Sequence, residues 1–397
     1  MPPTPSATKK LALCGAALLS FVMGSLHAYS VLLLEMETAF DTSRSGASFT
    51  YSLALIFLSL SVLVGHRLYH RWSPARFVLG TGLFAGMGCM LAAISPTAAL
   101  VWIGFGVIFG AANGMAYGYA LQFAGNIWND KRGFAMGVIT ATYALGAVFF
   151  PIPLRLTSEA GGWGLALFFL ACAVVSISAL SAFILKLSQS NFPESKELAT
   201  PSSADQGGRV FWLWLSYCGA VTAGLMVIGH AAAIAEARGG NATWILAAPV
   251  VIALANMSGS LSGGGLVDKI SGRFVLSVLV SLSVVGLIAL AALEPIHTTL
   301  LGFIIIGFCY GGTIAAFPAF ISHQYGAALG TRIYGRVFTA WATAGLLGPY
   351  LAGFLFDKFG NYRVALLLAA AAAIISLITL IAKLGPINPA PQKNARN

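Results

Sequence analysis

The sequence predicts an all-α membrane protein: twelve transmembrane helices in two pseudo-symmetric bundles of six. Three observations carry this. Of 397 residues, 58% are apolar and 9% charged, and the mean hydropathy is +0.85, whereas a soluble domain carries about 25% charged residues. Apolar runs of about 20 residues, the length that crosses about 30 Å of hydrocarbon, recur along the whole chain. Features of the first half also return about 200 residues later.

The first run, Leu11 to Leu34 behind Lys9 and Lys10, has the outline of a secretory signal. Eleven further runs follow, near 48–66, 75–95, 98–125, 134–154, 162–186, 211–235, 243–267, 274–293, 299–322, 334–356 and 363–385, so the first is expected to be an uncleaved span. The stretch from Ser188 to Gly208 is polar and rich in Ser and Pro, a composition that suits a flexible linker. The expected units are an N-terminal six-helix bundle (1–187), a cytoplasmic linker (188–208), a C-terminal six-helix bundle (209–386) and a disordered tail (387–397).

Charge orients these spans. With both termini on one side, seventeen of the 22 Lys and Arg fall in connections on that side; only Arg44, Arg155, Arg238, Lys358 and Arg363 fall on the other. Cytoplasmic loops accumulate positive charge, so both termini are expected in the cytoplasm, in a bacterial inner membrane. The net charge of +10 is scattered singly between apolar runs, without the aromatic-interleaved basic stripe that nucleic acid calls for. The expected partners are a small-molecule substrate, protons and the lipid bilayer, with no nucleic acid and a monomer as the working unit.

Other chemistries lack their signatures. The five cysteines lie in apolar runs with no CxxC spacing, which argues against disulfides and structural metal. Neither a metal nor a cofactor is expected. No Walker A sequence is present, so ATP is not the expected driving force, and no HExxH, GxSxG or membrane-depth acid pair suggests an enzyme. A receptor or scaffold is expected to carry a sizeable soluble domain, and the longest candidate is the linker.

The repeat is specific. Gly65 opens the loop after the second span and Gly264 the loop after the eighth, where the sequence reads GGLVDKISGR; Gly133 and Gly146 of the fifth span return as Gly335 and Gly348 in the eleventh. Such a glycine lets a neighbouring helix approach, and the loop charges are read as a cytoplasmic gate made of Gly264, Asp268 and Arg273. The first copy has Tyr69 where the acid would stand. In the fourth span Gly106, Gly110, Gly114 and Gly118 recur every four residues, a bare face for close packing.

Two duplicated bundles around a midplane site suit alternating access. The architecture and the GGLVDKISGR loop resemble the major facilitator superfamily over nearly the whole chain. A narrower likeness is to the oxalate/formate antiporters and monocarboxylate transporters. It rests on HAYSVLL with AFDTSRSGAS, on WNDKRGFAMG, and on CYGGTIAAFPAFISHQYG followed by YGRVFTAWATAGLLGPYLAGFLFDKFGNY. In that branch an arginine in the eighth helix grips the substrate carboxylate. Here Ser260 stands at that place, after Asn256, Met257, Ser258 and Gly259.

No Asp, Glu, Lys or Arg falls near the middle of a predicted span, which counts against cationic substrates. The polar residues near mid-depth are His27, Tyr29, Asn113, Tyr117, Tyr143, Asn256, Ser260 and Tyr310, with His230 nearer the outer end. The resemblance implies that their helices line a central cavity, which makes these nine the candidate substrate-binding residues. His27 or His230 is read as an anion ligand when protonated or as a proton carrier; a neutral ring bonded to a neighbouring helix is the alternative. The expected function is secondary transport of a small organic anion, most plausibly a monocarboxylate, by proton symport or exchange. The rival is a neutral or weakly polar solute.

Overall fold

The computed structural model describes residues 5–32, 36, 39–41, 44–192 and 203–385. The core of the expected linker (193–202) and the expected tail lie outside the described residues. Those described are helical throughout apart from short connections, with no strand among them.

Among the described residues, twelve apolar helical segments follow in order. They are α1 (Pro5–Met23), α2 (Arg44–Gly65), α3 (Pro74–Ala93), α4 (Ala98–Ile127), α5 (Arg132–Phe149) and α6 (Pro151–Ser188). The second half supplies α7 (Ser203–Gly229), α8 (Ala242–Val267), α9 (Gly272–Ala292), α10 (Ile296–Gly326), α11 (Leu329–Phe356) and α12 (Arg363–Lys383). Large apolar side chains such as Leu83, Phe183, Val285 and Ile378 stand exposed around the bundle, as a lipid-facing surface requires.

Three connections differ from the sequence reading. The link expected between the fifth and sixth spans is helical: Pro151, which has no N–H to satisfy at a first helical position, starts α6 early. The break falls at Gly161 and Gly162, the latter at φ 79, where a side chain would be strained. The seventh span stops at Gly229 rather than continuing to 235, and a short helix, Ala231–Ala237, follows a turn at His230. The apolar run of α1 leaves α-geometry at Gly24 and continues as a tighter 3-10 helix, Gly24–Leu32.

Small residues set the packing. A Cβ on Gly106 or Gly110 would stand 2.9 Å from Leu53 Cβ or 2.6 Å from Ala54 Cα, and one on Gly114 would collide with the Leu58 carbonyl. The bare face of α4 therefore seats α2. Gly146 lets α5 meet α1 at Phe21 and Gly24, and its repeat counterpart Gly348 lets α11 meet α7 at Thr222 and Met226. The duplication read in sequence thus reproduces the same pairing, first helix against fifth, in each half.

The first and last described stretches of the chain lie at one end of the bundle. There the Trp128 indole donates to the Lys9 carbonyl at 3.1 Å, and Arg209 donates to the Gly385 carbonyl.

Candidate functional site

Two seams join the halves, and both are shut at the end carrying the termini. In the α5/α8 seam, backbone meets backbone: a Cβ on Gly133 would collide with the Gly264 carbonyl, and one on Gly137 would lie 2.6 Å from the Ser260 carbonyl. Asp268, just past α8, accepts from the Gly133 amide at 2.7 Å and the Phe134 amide at 2.8 Å. These are unpaired donors in the first turn of α5, whose own preceding residue, Lys131, supplies no side-chain cap. Asp268 therefore caps a helix of the opposite half, at the end where the helix dipole favours an anion.

His323 Nε2 lies 3.2 Å from Asp268 Oδ1. Burial acts to raise the Asp268 pKa, but the His323 contact and the two amides outweigh it and hold the carboxyl below its ordinary value. The partners of Asp268 are thus two amides and a histidine rather than the loop bases. Arg273 points instead toward Gly385.

The α2/α11 seam closes differently. Ser59 donates to the Phe338 carbonyl at 3.0 Å, and a Cβ on Gly335 would lie 3.0 Å from the Val62 carbonyl. Thr331 of α11 donates to Gln122 of α4 at 2.9 Å. Tyr69, at the position that corresponds to Asp268, folds back into its own half and stacks edge-on against Phe77 and Tyr119.

Above these seams the halves part around a cavity of about 880 Å³. Its wall runs from Ser260, Thr140 and Phe338 at mid-depth to Phe49, Ala231 and Tyr350 at the far end. The protein is therefore closed at the end with the termini and opens toward the other.

Seven of the nine predicted residues line this space: His27, Tyr29, Tyr117, Tyr143, Asn256, Ser260 and Tyr310. His27 sits in the 3-10 segment, its Nδ1 2.5 Å from the Tyr51 hydroxyl, with the rings of Tyr143 at 5.5 Å and Trp341 at 6.3 Å. Ser260 donates to the Gly311 carbonyl at 3.1 Å and reaches Asn256 Oδ1 at 3.4 Å. Those two residues tie α8 to α10 at the floor of the cavity.

The other two sit elsewhere. Asn113 is fully buried behind Tyr143: its amide donates to the Met23 carbonyl at 2.6 Å, and its Oδ1 accepts from the Tyr143 hydroxyl at 2.9 Å. Met23 is where α1 gives way to the 3-10 segment, so Asn113 bonds a carbonyl at the break and aims Tyr143 at the cavity. His230 is bonded between the Pro349 carbonyl (2.8 Å) and the Tyr362 hydroxyl (3.2 Å), outside the lining.

Tyr51 and Trp341 line the cavity without having been singled out. Trp341 donates to the Tyr310 hydroxyl at 2.8 Å and stacks on Phe338 at 5.4 Å. An aromatic residue one turn from the cavity-facing Phe338 was the available signal. Among the described residues, no Lys, Arg, Asp or Glu is on the wall. Among the described residues, no group of three or more His, Cys, Asp or Glu stands close enough to hold a metal ion.

Comparison with known proteins places this geometry. The Major Facilitator Superfamily profile matches residues 13–349. The chain is similar to the uncharacterised MFS-type transporter YhjX of Escherichia coli (strain K12), at 27% identity over 83% of this chain and 84% of that one. It is similar also to the oxalate:formate antiporter of Oxalobacter formigenes, at 28% identity over 67% of this chain and 65% of that protein. Among solved structures, the fucose:proton symporter of Escherichia coli aligns with a TM-score of 0.72 at 15% identity, covering 94% of this chain and 98% of that one. The chain belongs to the major facilitator superfamily and is a multi-pass membrane transporter, not an enzyme.

Proposed function

We propose, from that membership and the chemistry of the cavity, that the protein is a secondary transporter carrying a small organic anion, a monocarboxylate by class, together with a proton. The single observation that carries this is the wall itself. Among its described residues it bears no fixed charge, and His27 is the one side chain there whose ordinary pKa falls between pH 5 and 8. An imidazolium in a low-dielectric wall is costly alone, and so is a carboxylate. Together they form a neutral pair, so anion and proton enter as one. Tyr51 and Tyr143 flank the ring, and Asn256 and Ser260 offer further polar atoms. The likeness to an oxalate:formate antiporter supports a carboxylate substrate.

Alternating access follows from treating 1–187 and 209–386 as the two rocking bodies, joined by 188–208. The positive-charge bias supports placing the termini, and with them the closed end, in the cytoplasm, so the described state faces outward. Gly264 and Asp268 then form the inner gate, which must part for release.

Purified protein in vesicles, given labelled lactate and an inward proton gradient, is expected to accumulate lactate. His27→Gln is expected to abolish gradient-driven accumulation while leaving the protein folded. Equal accumulation in the variant overturns the proton role. A second reading, transport of a neutral or weakly polar solute, is favoured by one observation: Ser260 stands where the resembled branch has its carboxylate-gripping arginine. Uptake that ignores both gradient and carboxylate competitors would select it.

A further inference from the structure

The proposed anion reading leaves open what else the substrate carries, and the shape of the cavity bears on that. The cavity of about 880 Å³, open at its far end, has room for a body much larger than a two- or three-carbon acid. A two- or three-carbon acid leaves most of that wall wet. One polar cluster spans the midline: His27 with Tyr51 from one half, Trp341 with Tyr310 from the other, the His27 and Trp341 rings 6.3 Å apart.

Most of the remaining lining is aliphatic or aromatic, and one glycine shapes it. Gly345 lies one turn of α11 from Trp341 and faces the void; a Cβ there would stand 3.5 Å from Leu55 Cδ1 and 3.7 Å from Leu225 Cδ1. The missing side chain leaves a slot with α2 on one side and α7 on the other. Its walls are leucine methyls, and Trp341 stands one turn away along α11 with the Phe338 ring stacked on it at 5.4 Å.

Building on the carboxylate reading, we propose that the substrate is a monocarboxylic acid with a ring-sized apolar body. The carboxylate is held at the His27–Tyr51 pair and the body in the slot beside Gly345. A planar ring buries its surface against methyls and aromatic edges, which a short acid cannot do.

Four probes separate the body from the charge: phenylacetate, 2-phenylethanol, acetate and ethanol, each titrated calorimetrically into the full-length protein in nanodiscs. Phenylacetate is expected to bind at least about tenfold more tightly than acetate, as filling an apolar pocket gives. Gly345→Leu, which fills the slot, is expected to erase that advantage while acetate binding changes less than about twofold. If the leucine variant does not assemble, Gly345→Ala gives a smaller loss of the same sign.

Acetate binding as tightly as phenylacetate overturns the ring-sized body and leaves the carboxylate reading standing. 2-Phenylethanol binding more tightly than phenylacetate sustains the body and overturns the carboxylate. Binding of none of the four overturns both.

Discussion

The two seams descend from one repeated arrangement, yet they hold shut by different means. At α5/α8 an acid of one half caps a helix of the other, the bare faces of Gly133 and Gly264 each meet the other's carbonyl, and His323 adds a third partner to Asp268. At α2/α11 the acid is replaced by Tyr69, which turns inward, and the bonds across to α11 are neutral, one from Ser59 of α2 and one to Gln122 of the neighbouring α4. Positive charge gathers there: burial first, then Arg332, Arg67 and Arg336, hold the His66 pKa below its ordinary value against the raising pull of the Leu63 carbonyl. Among the described residues no carboxylate pairs with those arginines. The two corresponding joints thus differ in chemistry: one is tied by a carboxylate, the other by neutral groups.

The largest expected effect comes from breaking both seams alike. Gly133→Leu puts a side chain onto the Gly264 carbonyl, and transport is expected to fall about 100-fold, as ångström-scale misplacement costs elsewhere. Gly335→Leu, with 3.0 Å to the Val62 carbonyl, is expected to cost about 10-fold, since less must shift. Vesicle uptake of the two variants checks the order; equal losses would erase the distinction between the seams.

Asp268→Asn removes the charge but keeps one acceptor. The closed end is expected to lose about 2 kcal/mol, from two charge-assisted bonds weakened, roughly a 30-fold shift in population. Spin-label distances between residues flanking Gly133 and Gly264 would report it. The pH dependence has a defined sign. Because the folded-state pKa of Asp268 is lowered, its contribution is complete above the ordinary carboxylate range and is lost as pH falls through the depressed value. The same distances in wild type are expected to lengthen in acid, and those in Asp268→Asn to stay flat.

The smallest effect belongs to the second seam. Ser59→Ala removes one neutral hydrogen bond and is expected to cost about 1 kcal/mol, with no added pH dependence. A loss equal to that of Asp268→Asn would remove the contrast.

Much of this was legible beforehand because the causes are local. Span positions follow from runs of apolar residues, and the seam glycines stood out because a backbone contact leaves no alternative residue. What was illegible depends on neighbours distant in sequence. Asn113 looked like a ligand because polarity at mid-depth is rare, but its partner is a carbonyl at the end of α1 that no pattern announces. Arg273 shared a loop with Asp268 yet points elsewhere. Tyr51 became a cavity residue through His27, which a 3-10 segment turned toward it, and that change of helix leaves no hydropathy trace.

A wall without formal charge has an electrical consequence. A charge carried across the membrane field exchanges about 2.3 kcal/mol per 100 mV. A cavity wall whose described residues include no Lys, Arg, Asp or Glu places none of the protein's own fixed charge at the depth where the cargo sits.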